Sequence, residues 1–210
     1  GLEKLLSELK DCGVAKRKTV VITFDDGYED NFSNAAPILK KYNLPACFFV
    51  TTGFIGTDRK FPWDDENSDP KIMTWEQIKT LSEMGFEIGS HTFSHVRLSN
   101  VDGERINQEL RLSKEELERR LCKGVNFFSY PFGRLEDVPP NLQKYVQEAG
   151  YLCCCSGHQA RVFPGTDIFM LPRKPINERF QLGASFHLEI NGGREYYQKL
   201  KSLFAKERKT

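Results

Sequence analysis

The sequence predicts an α/β protein built on a parallel sheet, open or closed into a barrel. Three observations carry that expectation. Short β-branched or aromatic runs alternate with helical stretches along most of the 210 residues. Glycine or proline punctuates most of those runs. The residues with chemistry to offer follow the strand ends: Asp25 and Asp26 after the first, His91 and His95 after the third, Pro131 to Arg134 after the fourth, Arg173 after the sixth. That is one carboxyl rim, where functional groups gather in both arrangements.

In chain order, Leu2, Leu5, Leu6 and Leu9 recur at helical spacing and predict a short amphipathic helix over 2–11. Residues 1–18 read as a lead-in, and 19–210 as one domain with its own core. Val20, Val21 and Ile22 predict a strand over 19–24 that ends on Asp25-Asp26-Gly27. A helix through Ala35, Ala36, Ile38 and Leu39 stops before Asn43-Leu44-Pro45, and Ala46–Thr51 is the second strand. Residues 53–73 form a long irregular stretch with Asp64, Asp65, Glu66 and two aromatics read as exposed, Phe61 and Trp63. Thr74 caps a helix through Met84, Gly85 stops it, and Phe86–Ser90 is the third strand. The long helix over 102–122 turns Ile106, Leu110, Leu117 and Leu121 to one side, and its many charges read as a solvated face. Strands over Val125–Tyr130 and Leu152–Cys155 flank a helix over Asn141–Ala149 that Gly150 ends. A sixth strand at Ile168–Leu171, a seventh at Ala184–Ile190 and a closing helix through Tyr196, Tyr197, Leu200, Leu203 and Phe204 complete the expected count of about seven strands.

With 30 basic residues against 29 acidic, the chain carries no charge footprint for nucleic acid. No apolar run reaches membrane-spanning length, and no leader pattern opens the chain. It starts on Gly1, which reads as a processed or excised piece, so the missing leader says little about location. Six cysteines include the run Cys153-Cys154-Cys155, which lacks zinc-ribbon spacing and reads as buried free thiols. Free thiols favour a reducing, cytoplasmic setting, with the cell envelope the alternative for a piece of a longer protein.

Side chains alternate along a strand, so Asp25 and Asp26 can share a site only where a glycine turn breaks the alternation. Two carboxylates held together call for a cation or donors nearby. Taken alone, Asp-Asp-Gly is also an ordinary turn. His91 and His95 stand four residues apart, a spacing that on a helical turn puts both rings on one face. Two histidines and Asp26 with an open position would suit hydrolysis at a metal, leaving Asp25 free as a base.

Thr23-Phe24-Asp25-Asp26-Gly27, Ser90-His91-Thr92-Phe93-Ser94-His95 and Ser129-Tyr130-Pro131-Phe132-Gly133 together resemble, in order, the first three motifs of the polysaccharide deacetylases, the NodB-homology or carbohydrate esterase family 4 proteins. The resemblance runs from about Val20 to the Arg173 region. It implies a distorted (β/α) barrel with one divalent ion, zinc first and cobalt, nickel or manganese as alternatives, that removes acetyl groups from sugars. By the family pattern Asp25 matches the catalytic base, Asp26, His91 and His95 match the metal ligands, and Tyr130, Pro131 and Phe132 match the groove wall, with the Phe132 N–H facing the oxyanion. Trp63 is a further candidate to stack on a sugar ring.

The chain departs from that pattern in three places. Ser129 stands where the third motif opens with an arginine; Arg173 is the candidate replacement and Arg134 the second. The late histidine that serves the family as general acid matches only His187, and poorly, with His158 behind it. The family's tryptophan block is not visible. The departures are similar to the branch of biofilm-type poly-N-acetylglucosamine deacetylases, in which a segment upstream of the Asp-Asp strand joins the site. The expectation is therefore an N-deacetylase acting on an N-acetylated sugar polymer or oligosaccharide. A non-catalytic glycan-binding relative and a cyclic amide or imide hydrolase are the alternatives.

Overall fold

The computed structural model describes residues 1–12, 19–65, 69–176 and 183–193. The elements are α1 (Leu2–Cys12), β1 (Ile22–Phe24), α2 (Ala36–Lys41, entered through a wide π turn at Asn31–Ala35), β2 (Ala46–Val50), α3 (Trp75–Glu83), β3 (Glu87–Ser90), α4 (Gly103–Leu121), β4 (Phe127–Ser129), α5 (Leu142–Glu148), β5 (Cys153–Cys155) and α6 (Gly183–Ile190). All five strands are parallel and pair in sequence order, β1-β2-β3-β4-β5. With right-handed crossovers that order puts every crossover helix on one face and leaves the other as the inside of a curled, open (β/α) barrel.

The two faces follow from strict alternation. Phe48 and Val50 of β2, Phe128 of β4 and Cys154 of β5 point outward into the main core with Ile78 and Leu81 of α3, Ile106, Leu110 and Leu117 of α4, and Val146 of α5. Cys47, Phe49, Phe127, Cys153 and Cys155 point inward, where Leu2, Leu5 and Leu6 of α1 fill the barrel. Glu87 seats that helix: its carboxylate accepts the N–H groups of Leu2 at 2.7 Å and Glu3 at 3.0 Å, the unpaired donors of the first turn. Thr74 caps α3 with a full capping box, and Asp102 caps α4 through the Arg105 N–H. The four cysteines of β2 and β5 are buried free thiols.

Among the described residues the strand count is five, not about seven. Ile168–Met170 is a 3-10 turn, set by the Asp167 carboxylate accepting the Phe169 N–H at 2.8 Å, and Leu171 alone bridges to Cys155. The stretch read as a seventh strand is helix α6, whose Glu189 is buried against Lys174 at 3.0 Å. A short apolar run fits either element, and here no strand lies beside it to pair with among the described residues. Phe61 is buried, not exposed, stacked between Phe54 and Trp63. The closing helix expected through Tyr196 to Phe204 lies outside the described residues.

Candidate active site

The Asp-Asp-Gly turn does more than end β1. Asp26 has φ 72° and Gly27 φ 98°, so two successive left-handed residues break the strand alternation. The Thr51 N–H bonds the Asp26 carbonyl at 3.2 Å, and the Met73 N–H bonds that of Gly27 at 2.9 Å, holding the turn against β2 and the long loop. The two carboxylates then go separate ways.

Asp26 reaches the imidazoles. Its Oδ1 lies 3.3 Å from His91 Nε2 and 3.2 Å from His95 Nε2, and the three ligand atoms sit within 4.8 Å of one another. The histidines are not on a helical turn, as their spacing suggested. Residues 91–95 are an irregular loop in which Thr92 (φ 67°) and His95 (φ 56°) are left-handed, and Thr92 Oγ1 accepts the His95 N–H at 3.0 Å. His91 Nδ1 lies 2.7 Å from the Ser129 carbonyl, which can only accept, so the ring carries a proton there and presents Nε2 to Asp26. A lone pair facing a carboxylate needs a proton or a cation between them. The donor set, two nitrogens and one oxygen with a carbonyl orienting the outer ring nitrogen, fits a divalent metal.

Burial pushes the Asp26 carboxyl up, but the hydrogen bonds and charges of both histidines outweigh it and hold it well below the carboxylate range. At His91 burial favours the neutral ring, yet Asp25 and Asp26 together raise it above an ordinary histidine. Burial dominates at His95, which is lowered.

Asp25 faces Arg173. The guanidinium uses all five of its donors: Nη1 to Asp25 Oδ1 at 2.7 Å and Thr23 Oγ1 at 3.0 Å, Nη2 to Asp25 Oδ2 at 2.6 Å and Ser129 Oγ at 2.8 Å, Nε to the Ser156 carbonyl at 2.9 Å. It thereby ties the ends of β1, β4 and β5 together across the open side of the barrel. Burial raises the Asp25 carboxyl, and the charges of Arg173 and His91 more than offset it, leaving it below its usual range. Ser129, in the position where an arginine was expected, receives a guanidinium from elsewhere. Arg134 is exposed and pairs with Glu136 at 3.2 Å, away from Asp25.

The rim is aromatic. Trp63, 48% exposed, lies 5.0 Å from the His95 ring and 6.0 Å edge-on from Phe132, and Phe132 lies 5.1 Å from His95. Trp63 Nε1 donates to the Tyr28 hydroxyl at 3.0 Å, and that hydroxyl donates to Asp64 at 2.7 Å. Of the expected groove wall only Phe132 is at the surface. The Tyr130 ring is buried, its hydroxyl bonding the Gly133 carbonyl at 3.1 Å, and Pro131 is buried too, so both shape the turn without lining a groove. His187 sits exposed on α6 and makes no hydrogen bond, ion pair or ring contact with the aspartates among the described residues. His158, in the loop after β5, accepts the Arg173 N–H on its carbonyl at 3.2 Å.

Glu109 escaped the sequence reading. It is buried, and its carboxylate accepts the N–H groups of Phe93 at 3.0 Å and Ser94 at 2.7 Å and the Ser94 hydroxyl at 2.5 Å, while Arg105 pairs with it at 2.7 Å. It therefore braces the loop that carries both histidines. The signal was present: Ile106, Glu109, Leu110, Ser113 and Leu117 form one i, i+3, i+4 stripe, and a charge on that stripe has to be paired inside.

The family model "Polysaccharide deacetylase" matches residues 13–153. YxkH of Bacillus subtilis is 32% identical over 134 residues, 64% of this chain and 43% of that protein. A poly-beta-1,6-N-acetyl-D-glucosamine N-deacetylase of Staphylococcus aureus is 26% identical over 178 residues, 80% of this chain and 58% of that protein. The chain thus spans about half the length of these curated relatives. Among solved structures, the Streptococcus pyogenes deacetylase PplD, in complex with acetate, superposes with a TM-score of 0.72 at 24% identity, over 84% of this chain and 72% of that one. IcaB from Ammonifex degensii gives 0.65 at 25% identity, over 79% and 71%. Both share the fold.

Proposed function

The chain belongs to the polysaccharide deacetylase family, and on that premise we propose that it is a metal-dependent hydrolase removing N-acetyl groups from an amino-sugar polymer or oligosaccharide. One observation carries the reading: the doublet is split, with Asp26 turned to His91 and His95 and Asp25 held apart by Arg173. A pure binding module has no use for a carboxylate kept ionised beside a ligand cluster.

Asp26, His91 and His95 would hold the ion, with zinc the first expectation. Such an ion polarises an amide carbonyl and lowers the pKa of a water, which is the chemistry an acetamide needs. Asp25 takes the proton from the attacking water. Arg173 fixes its two oxygens and keeps it ionised at neutral pH. The Phe132 N–H donates to the oxygen that gains charge as the carbonyl becomes tetrahedral, a contribution of about 3 kcal/mol for a fixed donor. The protonated Asp25 then returns its proton to the leaving nitrogen, so the reaction needs no histidine from α6. Trp63 and Phe132 offer ring faces to the sugar. The long rim loop beside them suits an extended substrate better than a small cyclic amide. Polymeric poly-N-acetylglucosamine is the substrate named for the S. aureus relative, which makes N-acetylglucosamine oligomers the first to try.

The test compares Asp26→Asn with Asp25→Asn. The first should lose bound metal in elemental analysis and acetate release from N-acetylglucosamine oligomers together. The second should keep the metal and lose the acetate. Full metal and full activity in Asp26→Asn would refute the assignment, and silent wild-type protein with metal restored would favour the glycan-binding alternative.

A further inference from the structure

Two residues after His95 stands an arginine that the chemistry above leaves unused. Arg97 pairs with Asp137, a carboxylate with no exposed surface, and its guanidinium carbon lies 4.3 Å from the centroid of the Phe132 ring. The other Asp137 oxygen accepts the Arg134 N–H at 2.8 Å. One buried carboxylate therefore anchors both the arginine and the chain just past the Tyr-Pro-Phe-Gly turn.

That turn needs holding. Phe132 has φ 66°, a conformation a bulky residue keeps only when its surroundings impose it. From inside, the Tyr130 hydroxyl and the Gly157 N–H, the latter at 2.8 Å, both bond the Gly133 carbonyl. Gly133 and Gly157 touch backbone to backbone, so that a Cβ on Gly133 would fall 2.7 Å from the Gly157 Cα. From outside, the ring is 44% exposed and is flanked by His95, Trp63 and Arg97.

We propose that Arg97, seated on Asp137, is a positioning residue: it presses Phe132 into its left-handed conformation and so fixes both the N–H and the ring at the rim, coupling the His95 loop to the turn after β4. The inference rests on the function proposed above for its kinetic consequence, and on geometry alone for its structural one.

The test uses metal-loaded full chain and the variants Arg97→Met, Arg97→Lys and Phe132→Ala. Arg97→Met should lower kcat for acetate release roughly 10–100-fold, the scale of a displaced catalytic group, with metal content unchanged. Arg97→Lys keeps the charge but not the planar contact and should recover only part of the loss. Adding Arg97→Met to Phe132→Ala should cost nothing further, because both act through the same turn. Spectra of 15N-phenylalanine-labelled protein give a readout free of turnover: the Phe132 amide resonance should move in Arg97→Met. An unmoved resonance, multiplicative losses in the double variant, or metal lost in step with activity would each overturn the proposal. Inactive wild type with a displaced Phe132 resonance would instead sink the function and leave the positioning role standing.

Discussion

Replacing Arg173 by methionine removes every donor in the fork that holds Asp25 while keeping similar bulk. The pair lies at 2.6 Å with side chains 18% and 30% exposed, so it is neither a surface ion pair nor fully dry. Two unit charges about 4 Å apart attract by about 4 kcal/mol at an effective dielectric near 20. Breaking a buried pair from one side costs about 3–5 kcal/mol. Asp25 keeps some access to water, which puts the expected loss near the lower end, about 3 kcal/mol. For a chain of this size that corresponds to a fall in Tm of roughly 6–12 °C.

The pH dependence has a definite sign. The Asp25 carboxyl lies below its usual range in the folded protein, so its contribution to stability is present above the unfolded carboxylate pKa and is lost as pH falls through the folded value. Without Arg173, burial acts with less opposition and the carboxyl rises. The Tm gap between wild type and Arg173→Met should therefore be widest near neutral pH and narrow on acidification. The acidic limb of kcat/KM for acetate release should also move to higher pH, since Asp25 must be ionised to accept a proton. Adding Asp25→Asn should restore part of the lost stability, because it removes the stranded charge. Thermal melts across pH and a pH–rate profile measure both effects. A Tm change under about 2 °C at pH 7, or an acidic limb that stays in place, would refute the argument.

Glu109→Gln keeps the acceptor atom but loses charge against Arg105, and its NH₂ cannot accept from the Phe93–Ser94 loop. Metal affinity, read by titration calorimetry, should weaken about 10–100-fold, as when an orienting partner behind a ligand is removed. Unchanged affinity would mean that the histidine loop holds its shape unaided. His187→Ala should leave acetate release within about twofold of wild type, because the residue is exposed on α6 and touches neither aspartate; a large loss would return it to the reaction.

The candidate site divides along physical lines. Local signals gave the turn chemistry: Val20 to Ile22 running into Asp25-Asp26-Gly27 marks a strand end, and His91 and His95 close behind a glycine-bounded strand mark a second one. Trp63 was visible as a rim aromatic, but burial of Tyr130 and Pro131 was not, because an aromatic in a turn can face either way. Short apolar runs fit more than one element: Ile168–Met170 is a 3-10 turn with only Leu171 bridging to β5, and Ala184–Ile190 lies in α6 with no strand to pair with among the described residues.

What the sequence determined alone is whatever depends on period and punctuation: an alternating α/β chain, β1 to β5, and carboxylates and imidazoles at one set of strand ends. Tertiary structure decided the rest, because the decisive partners are far apart in the chain. Arg173 meets Asp25 across 148 residues, Glu109 braces a loop 15 residues upstream, and Arg97 reaches Asp137 and Phe132 from the far side of α4. Each of these contacts is made by packing between segments distant in sequence, and no spacing rule within a strand or helix fixes it.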